Sequence, residues 1–245
     1  MATHKPAIKQ IASGLRFPEG PVAMRDGSVV LVEIERRTLS RITPDGKIHV
    51  VATLGGGPNG AAMGPGGKIY VTNNGGLKFV ERPGKLFPVL QADDYVTGSI
   101  QVVDPDTGKF ETLYDRCDGQ RLRGPNDLVF DRAGGFWFTD LGKTRERDND
   151  RGVVYYAKAD GSMIREAIFP LERPNGIGLS PDEKTVYTAE TLTGLEGRRA
   201  IVLLSDGRDE NNPGTAPGSV HTVADALAMV RETDTTVYAI GLGAN

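Results

Sequence analysis

A two-strand sequence pattern occurs four times between residues 17 and 190, and it constrains the fold more than any other feature of the chain. Each copy begins with Pro, then Asn or Glu, then Gly or Asp, and continues as two apolar stretches joined by a Gly- or Asp-containing turn. Short β-rich runs separated by such turns are typical of hairpins. The copies read FPEGPVAMRDGSVVLVEIE from Phe17, GPNGAAMGPGGKIYVTNNG from Gly57, GPNDLVFDRAGGFWFTD from Gly124 and RPNGIGLSPDEKTVYTAET from Arg173.

The corners of successive copies are separated by 40, 67 and 49 residues, and further hairpin candidates fill the intervals. Glycine makes up 32 of the 245 residues, which favours many short strands with turns over long helices. We therefore predict a mainly β protein in which each copy starts one four-stranded blade of a partial, about four-blade β-propeller. The longest interval carries an insertion at 74–98.

Two polar residues stand at matched positions in every copy. Because the innermost strands of a propeller line one channel, the first of these residues should converge at one mouth. One carboxylate with several amide oxygens suits Ca²⁺ or Mg²⁺ rather than a soft metal. The alternative is that these side chains only form Asx turns within their own copies. The first series is Glu19, Asn59, Asn126 and Asn175, and the second, 14 or 15 positions later, is Glu33, Asn73, Asp140 and Glu190.

The segments FPEGPV, GPNDLVFD, GGFWFTD and RPNGIGLSPDEKTVYTAET resemble the gluconolactonase, regucalcin and senescence-marker-protein family of six-bladed propellers over about residues 11–193. The resemblance implies a lactonase that hydrolyses a small-molecule lactone with one divalent ion, most often Ca²⁺, with Mg²⁺, Mn²⁺ and Zn²⁺ as alternatives. The ion would polarise the carbonyl while a carboxylate helps water to attack. The implied metal ligands are Glu19, Asn126 and Asn175, and the implied catalytic residues are Asn126, Asp127 and Glu190.

The sequence departs from this family after the fourth copy. The family has a further Asp ligand in a later Pro-Asp-Gly turn, and no such turn follows Asn175. Glu190, Asp140 and Asp127 are the candidates to replace it. The length before residue 194 suits about four blades, not six. Open sheet edges would then allow the protein to self-associate.

The C-terminal stretch resembles part of a von Willebrand factor type A domain over about residues 198–245. An apolar strand at 200–204, a helix and the strand TTVYAIGLG predict a β-α-β unit with a parallel strand pair. That family binds a metal through the Asp matched by Asp206, but its Asp-x-Ser-x-Ser motif is absent, so we do not expect a working site. The chain therefore resembles a chimera of a propeller portion, 1–193, and a type A-like fragment, 194–245.

Other features narrow the function classes. A net charge of −3 argues against a nucleic-acid partner, and no apolar run reaches the ~18 residues of a membrane helix. No signal-peptide pattern opens the chain, so we expect a cytoplasmic protein. The charged run at 142–152 predicts a solvated loop, with contact between Lys143, Arg145 or Arg147 and an anionic substrate as the alternative. Two functions compete with the lactonase: a non-catalytic, metal-dependent protein-binding module, and an inactive truncated chimera.

Overall fold

The computed structural model describes residues 10–83, 85–190, 199–205 and 235–241. Within these ranges the chain forms twenty β-strands. The 3₁₀ turn Pro65–Gly67 is the only helical element in the described residues. Four four-stranded sheets contain sixteen of the strands. The described part of the chain holds no helix with the length and hydropathy needed to cross a membrane. The prediction of a mainly β protein is confirmed.

The first two sheets are antiparallel throughout. The first consists of β1 (Pro18–Ala23), β2 (Val29–Glu33), β3 (Thr38–Ile42) and β4 (Ile48–Thr53), in that order. The predicted insertion contains a separate hairpin, β7 (Leu77–Arg82) with β8 (Lys85–Gln91). It interrupts the second sheet, which consists of β5 (Pro58–Met63), β6 (Ile69–Asn73), β9 (Ser99–Val103) and β10 (Phe110–Tyr114).

The third sheet is also antiparallel, and a two-stranded ribbon of β11 (Arg116–Cys117) and β12 (Gln120–Arg121) precedes it. Its strands are β13 (Pro125–Phe130), β14 (Gly135–Asp140), β15 (Gly152–Lys158) and β16 (Ile164–Leu171). The fourth sheet contains β17 (Pro174–Leu179), β18 (Val186–Glu190), β19 (Arg199–Ser205) and β20 (Thr235–Gly241). Each copy of the repeat therefore supplies the first two strands of one sheet.

The last two strands, β19 and β20, pair in parallel, as the sequence predicts. In contrast, β18 and β19 pair antiparallel, so the fourth sheet is mixed. The predicted helix between β19 and β20 lies outside the described residues, and so does Asp206. The division of the chain at residue 193 stays a prediction.

The first strands of the four sheets pack side by side in the row β1, β5, β13, β17. Apolar side chains fill the spaces between neighbouring sheets. One cluster, around Val32, Leu39 and Val71, joins the first two sheets, and another, around Tyr70, Phe136 and Phe138, joins the second and third. Phe138 is fully buried in this second cluster, while Trp137 is half-buried beside Tyr156, with the two ring centroids 4.9 Å apart.

Buried threonine hydroxyls also connect neighbouring sheets. The Thr72 hydroxyl accepts a hydrogen bond from Gly60 N at 2.8 Å and donates one to Asn126 O in the third sheet. Gly60 permits this close approach, because a Cβ there would lie 2.5 Å from Asn126 O. The Thr139 hydroxyl repeats the pattern, accepting from Asp127 N at 3.2 Å and donating to Asn175 O at 2.5 Å in the fourth sheet.

Replacing Thr139 with Val should lower the free energy of unfolding by roughly 1–3 kcal/mol, because an isosteric methyl leaves the partly buried Asp127 N–H and Asn175 carbonyl without this partner. Urea denaturation measures the change. Thr112→Val, on an exposed position of β10, is the matched control and should shift stability by no more than about 0.5 kcal/mol. Equal effects of the two substitutions would show that the Thr139 connection contributes nothing to stability.

Candidate active site

The repeated corners lie at the starts of the first strands of the four sheets. We call this edge of the row of sheets the mouth. Here each first strand begins beside the end of the second strand, and the register shifts directly afterwards. Such a bulge turns side chains out of the regular strand alternation. The facing pairs are Pro18 with Glu33, Pro58 with Asn73, Pro125 with Asp140 and Pro174 with Glu190. Both polar series therefore occupy the mouth.

The second series binds backbone amides of the loops at the mouth. Asp140 is buried, and its carboxylate accepts hydrogen bonds from Arg123 N, Gly124 N and Gly142 N at 2.6–2.9 Å. Asn73 likewise accepts from Gly57 N and Gly75 N. These side chains hold the loop that leads into the first strand of their own sheet. Burial raises the pKa of Asp140, while the three N–H groups and Lys143 act in the opposite direction.

Glu33 and Glu190 have the same task at the two ends of the row. Glu33 is buried and accepts from Arg16 N at 2.7 Å, and Glu190 accepts from Glu172 N at 2.7 Å. Burial raises the pKa of Glu190. This geometry makes Glu190 an anchor for the 172–173 loop. Its predicted roles as catalytic residue or fourth ligand, and that of Asp140 as ligand, stay predictions.

The first series has uncommitted side chains. At these corners the backbone carbonyls of Asn126 and Asn175 accept hydrogen bonds from threonine hydroxyls. Within residues 10–83 and 85–190, the side-chain amides of Asn59, Asn126 and Asn175 form no hydrogen bond. Asn59 and Asn126, in the middle of the row, are only 6% and 7% exposed, while Glu19 and Asn175, at its ends, are exposed. The polar atoms of this series are therefore available to a ligand.

Asp127, next to Asn126, carries the second carboxylate near these corners. Its Oδ1 accepts from Leu128 N at 2.9 Å and its Oδ2 from Ile177 N at 3.2 Å, so it connects the third sheet with the fourth. Burial raises the pKa of Asp127 despite these bonds. Partial desolvation at the mouth raises the pKa of Glu19 as well, although its side chain is exposed; the Gly20 N–H opposes this effect, and the negative charge of Asp127 adds to it.

This donor set fits a hard divalent cation. It offers carboxylate oxygens from Glu19 and Asp127 and amide oxygens from the Asn side chains, which are the ligands that Ca²⁺ and Mg²⁺ prefer. Among the residues that the structure describes, no three His, Cys, Asp or Glu side chains cluster closely enough to hold a metal. Amide oxygens would therefore have to complete the coordination, as the predicted set of Glu19, Asn126 and Asn175 requires.

In the charged loop after β14, Lys143 and Arg145 bind other groups of the protein. Lys143 is only 2% exposed, and its Nζ donates to Asn74 O and Gly76 O, both at 2.7 Å. Arg145 pairs with Asp148 and with Asp150. Lys143 and Arg145 are therefore engaged within the protein, and the expectation of a solvated loop is wrong for Lys143. Arg147 is exposed.

Sequence reasoning missed the threonine connections and the burial of Lys143. The sequence does contain a signal for the threonine connections. Thr72, Thr139 and Thr188 each stand 12 positions after the residue that follows the corner Asn of their copy. No comparable signal marks Lys143, which stands in a charged run and contacts residues 67 and 69 positions away.

The chain is similar in sequence to known proteins over most of its length. Residues 17–200 match the model of the SMP-30/Gluconolactonase/LRE-like region. A gluconolactonase of Zymomonas mobilis is 29% identical over 206 residues, covering 75% of this chain and 51% of the relative. The lactonase drp35 of Staphylococcus haemolyticus is 30% identical, covering 84% of this chain and 56% of the relative. The chain thus spans about half the length of these curated relatives.

Solved structures give the same picture of the fold. A gluconolactonase from Xanthomonas campestris superposes with a TM-score of 0.59 at 25% identity, covering 79% of this chain and 59% of that structure. A calcium-binding regucalcin from Agrobacterium tumefaciens superposes with a TM-score of 0.52 at 18% identity, covering 72% of this chain and 51% of that structure, and supports the fold alone.

Proposed function

Because the chain belongs to the SMP-30/Gluconolactonase/LRE-like family, we propose that it hydrolyses a lactone with the help of a divalent cation bound at the mouth. The contrast between the two polar series carries this proposal. The second series is satisfied by backbone amides, whereas the first series keeps its side-chain oxygens free among the described residues. If the corners were only structural turns, we would expect the side chains of both series to form hydrogen bonds within the protein.

Glu19, Asn126 and Asn175 would hold the cation, and Ca²⁺ is the first candidate because all the ligand atoms are oxygens. A bound cation of this kind supplies Lewis-acid polarisation of the lactone carbonyl. Mg²⁺, Mn²⁺ and Zn²⁺ are the alternatives. The identity of the cation is part of the proposal, as is its presence.

Asp127 is the proposed general base. Its raised pKa brings the carboxyl closer to neutral pH, which favours proton transfer from water. The water oxygen attacks the carbonyl carbon, Asp127 takes the proton, the ring C–O bond breaks, and the leaving oxygen regains a proton to give a hydroxy acid. Asn126, beside Asp127, would orient the substrate. The backbone N–H groups of Leu128 and Ile177 fix the Asp127 carboxylate in place.

The test is acid release from simple aldonolactones, followed by pH-stat titration with added Ca²⁺ and again after chelation. Release that depends on the cation would support the proposal. Stable protein that releases no acid with any of the four cations would overturn it, and would favour the alternative of an inactive truncated chimera.

We also propose how the chain is organised. Four sheets with adjacent first strands support a partial propeller of about four blades, and the parallel pairing of β19 and β20 favours the resemblance to a type A domain and a chimeric origin. A protein-binding role for that segment, self-association through open sheet edges and a cytoplasmic location are retained as proposals from the sequence.

A further inference from the structure

The hairpin formed by β7 and β8, residues 77–91, contacts the loops on both sides of the second sheet. We call it the bridging hairpin. On one side the Phe79 ring packs on the Phe17 ring, with centroids 5.1 Å apart. Glu81 also lies 3.9 Å from the Arg16 guanidinium. Phe17 stands two residues before Glu19, so this contact lies beside the candidate ligand at one end of the row.

The other side of the bridging hairpin contacts the loop between β14 and β15, and that loop in turn contacts the residue that precedes β17 by one position. Gln91 N donates to Thr144 O at 2.9 Å, and the Thr144 hydroxyl accepts a hydrogen bond from the Arg173 guanidinium. Arg173 stands two residues before Asn175, the candidate ligand at the other end of the row. A short series of contacts therefore connects the loops that lead to Glu19 and Asn175.

Lys143 fastens the base of the bridging hairpin to the third sheet. Besides its bonds to Asn74 O and Gly76 O, its Nζ lies 4.8 Å from the centre of the Tyr95 ring. The Tyr95 hydroxyl in turn donates to Arg123 O at 2.8 Å. Burial lowers the pKa of Lys143 to about 7, opposed by the charges of Asp140 and Asp150. Burying an amine is costly, so its hydrogen bonds are needed to offset that cost.

The base itself has little room to move. Gly76 adopts a φ of 112°, and a Cβ there would lie 2.9 Å from the Ala92 Cβ. Ala92 N also donates to Gly76 O at 3.2 Å, the same carbonyl that Lys143 binds. Movement of Lys143 would therefore be transmitted to both ends of the hairpin.

We propose that Lys143 is a positioning residue, which holds the bridging hairpin across the mouth and so sets the spacing between Glu19 and Asn175. The proposal rests on the proposed function, because it assigns those two residues to one cation. Replacing Lys143 leaves all three proposed ligands in place. Removing the positive charge of Lys143 beside Asp140 would by itself favour cation binding, so a weaker affinity after its replacement would have to act through the hairpin.

The first experiment compares Lys143→Met with the wild type and with Lys47→Met, whose side chain is exposed and forms a surface ion pair with Asp45. We expect Lys143→Met to speed amide hydrogen exchange of residues 77–91 by about tenfold or more. It should also weaken Ca²⁺ binding by roughly 10–100-fold, the usual effect of removing an outer support of a metal site. Lys47→Met should change neither. Faster hairpin exchange with unchanged Ca²⁺ affinity would overturn the proposal, as would no change in either.

A second variant covers the case in which Lys143→Met does not fold. Phe79→Ala leaves Lys143 in place and removes the contact with Phe17 at the opposite side of the hairpin. It should weaken Ca²⁺ binding by about tenfold. Circular dichroism would show whether each variant is folded. Unchanged Ca²⁺ affinity in folded Phe79→Ala would contradict the positioning role.

A distance measurement separates this proposal from the proposed function. Spin labels at Ala23→Cys in β1 and Tyr187→Cys in β18 occupy exposed positions in the first and fourth sheets, while the native Cys117 is buried. Lys143→Met should broaden the distribution of label distances whether or not Ca²⁺ binds. A broader distribution in a protein that binds no Ca²⁺ would uphold the positioning role and overturn the cation site. An unchanged distribution would overturn the positioning role.

Discussion

Replacing Glu19 with Gln is expected to weaken Ca²⁺ binding by roughly 100-fold, or ~2.7 kcal/mol. Glu19 is the one charged member of the first series, and the number of charged ligands largely sets calcium affinity. Glutamine keeps the length and one oxygen of the side chain but removes its charge. Isothermal titration calorimetry of the full chain measures the change directly.

Glu111→Gln is the matched control for this measurement. Glu111 is exposed on β10, the edge strand of the second sheet opposite β5, and its replacement removes one negative charge away from the mouth. The control should bind Ca²⁺ as the wild type does. An affinity for Glu19→Gln within about threefold of the wild type would mean that the cation, if bound, lies elsewhere.

Replacing Asp127 with Asn should lower kcat for lactone hydrolysis by roughly 10²–10⁴-fold, the usual range for a lost general base. The amide can still accept a hydrogen bond from Leu128 N or Ile177 N, so the fold should persist, but it cannot take a proton from water. Calcium affinity should fall less than in Glu19→Gln, because Glu19, Asn126 and Asn175 are the proposed ligands and Asp127 acts as the base in the proposed reaction.

Initial-rate kinetics at saturating lactone and Ca²⁺ measures this effect. Asp106→Asn, on an exposed turn between β9 and β10, removes an aspartate charge away from the mouth and should leave kcat unchanged. If Asp127→Asn retained kcat within tenfold, another group would have to act as the base, and Glu190 would be the next residue to replace.

The sequence could predict the four strand pairs because the information is local. Alternating apolar residues, turn glycines and the proline corners all lie within about twenty residues of one another, and they agree on the same structure. The two polar series were recognisable for the same reason. Their different uses were not, because whether Asn126 or Asp140 binds a backbone amide depends on the paths of loops up to 17 positions away.

The burial of Lys143, in contrast, could not be predicted from the sequence. A lysine in a run of charged residues normally remains in water, and only contact with carbonyls nearly seventy positions earlier makes its burial favourable. The same holds for the bridging hairpin. Its two strands were foreseeable as an insertion, but its contacts with Phe17 and Thr144 depend on how three sheets are arranged.

The threonine connections have a consequence for how such a chain could evolve. The donor lies on the second strand of one sheet and the acceptor carbonyl on the first strand of the next, always at the same positions of the repeat. A gene duplication that copied one unit would therefore deliver both halves of the joint together. Thr188, at the same position of the fourth sheet, bonds Gly176 O in its own sheet at 3.1 Å. Among the residues that the structure describes, this hydroxyl therefore stays within its own sheet, although it stands at the position that joins two sheets in the earlier copies.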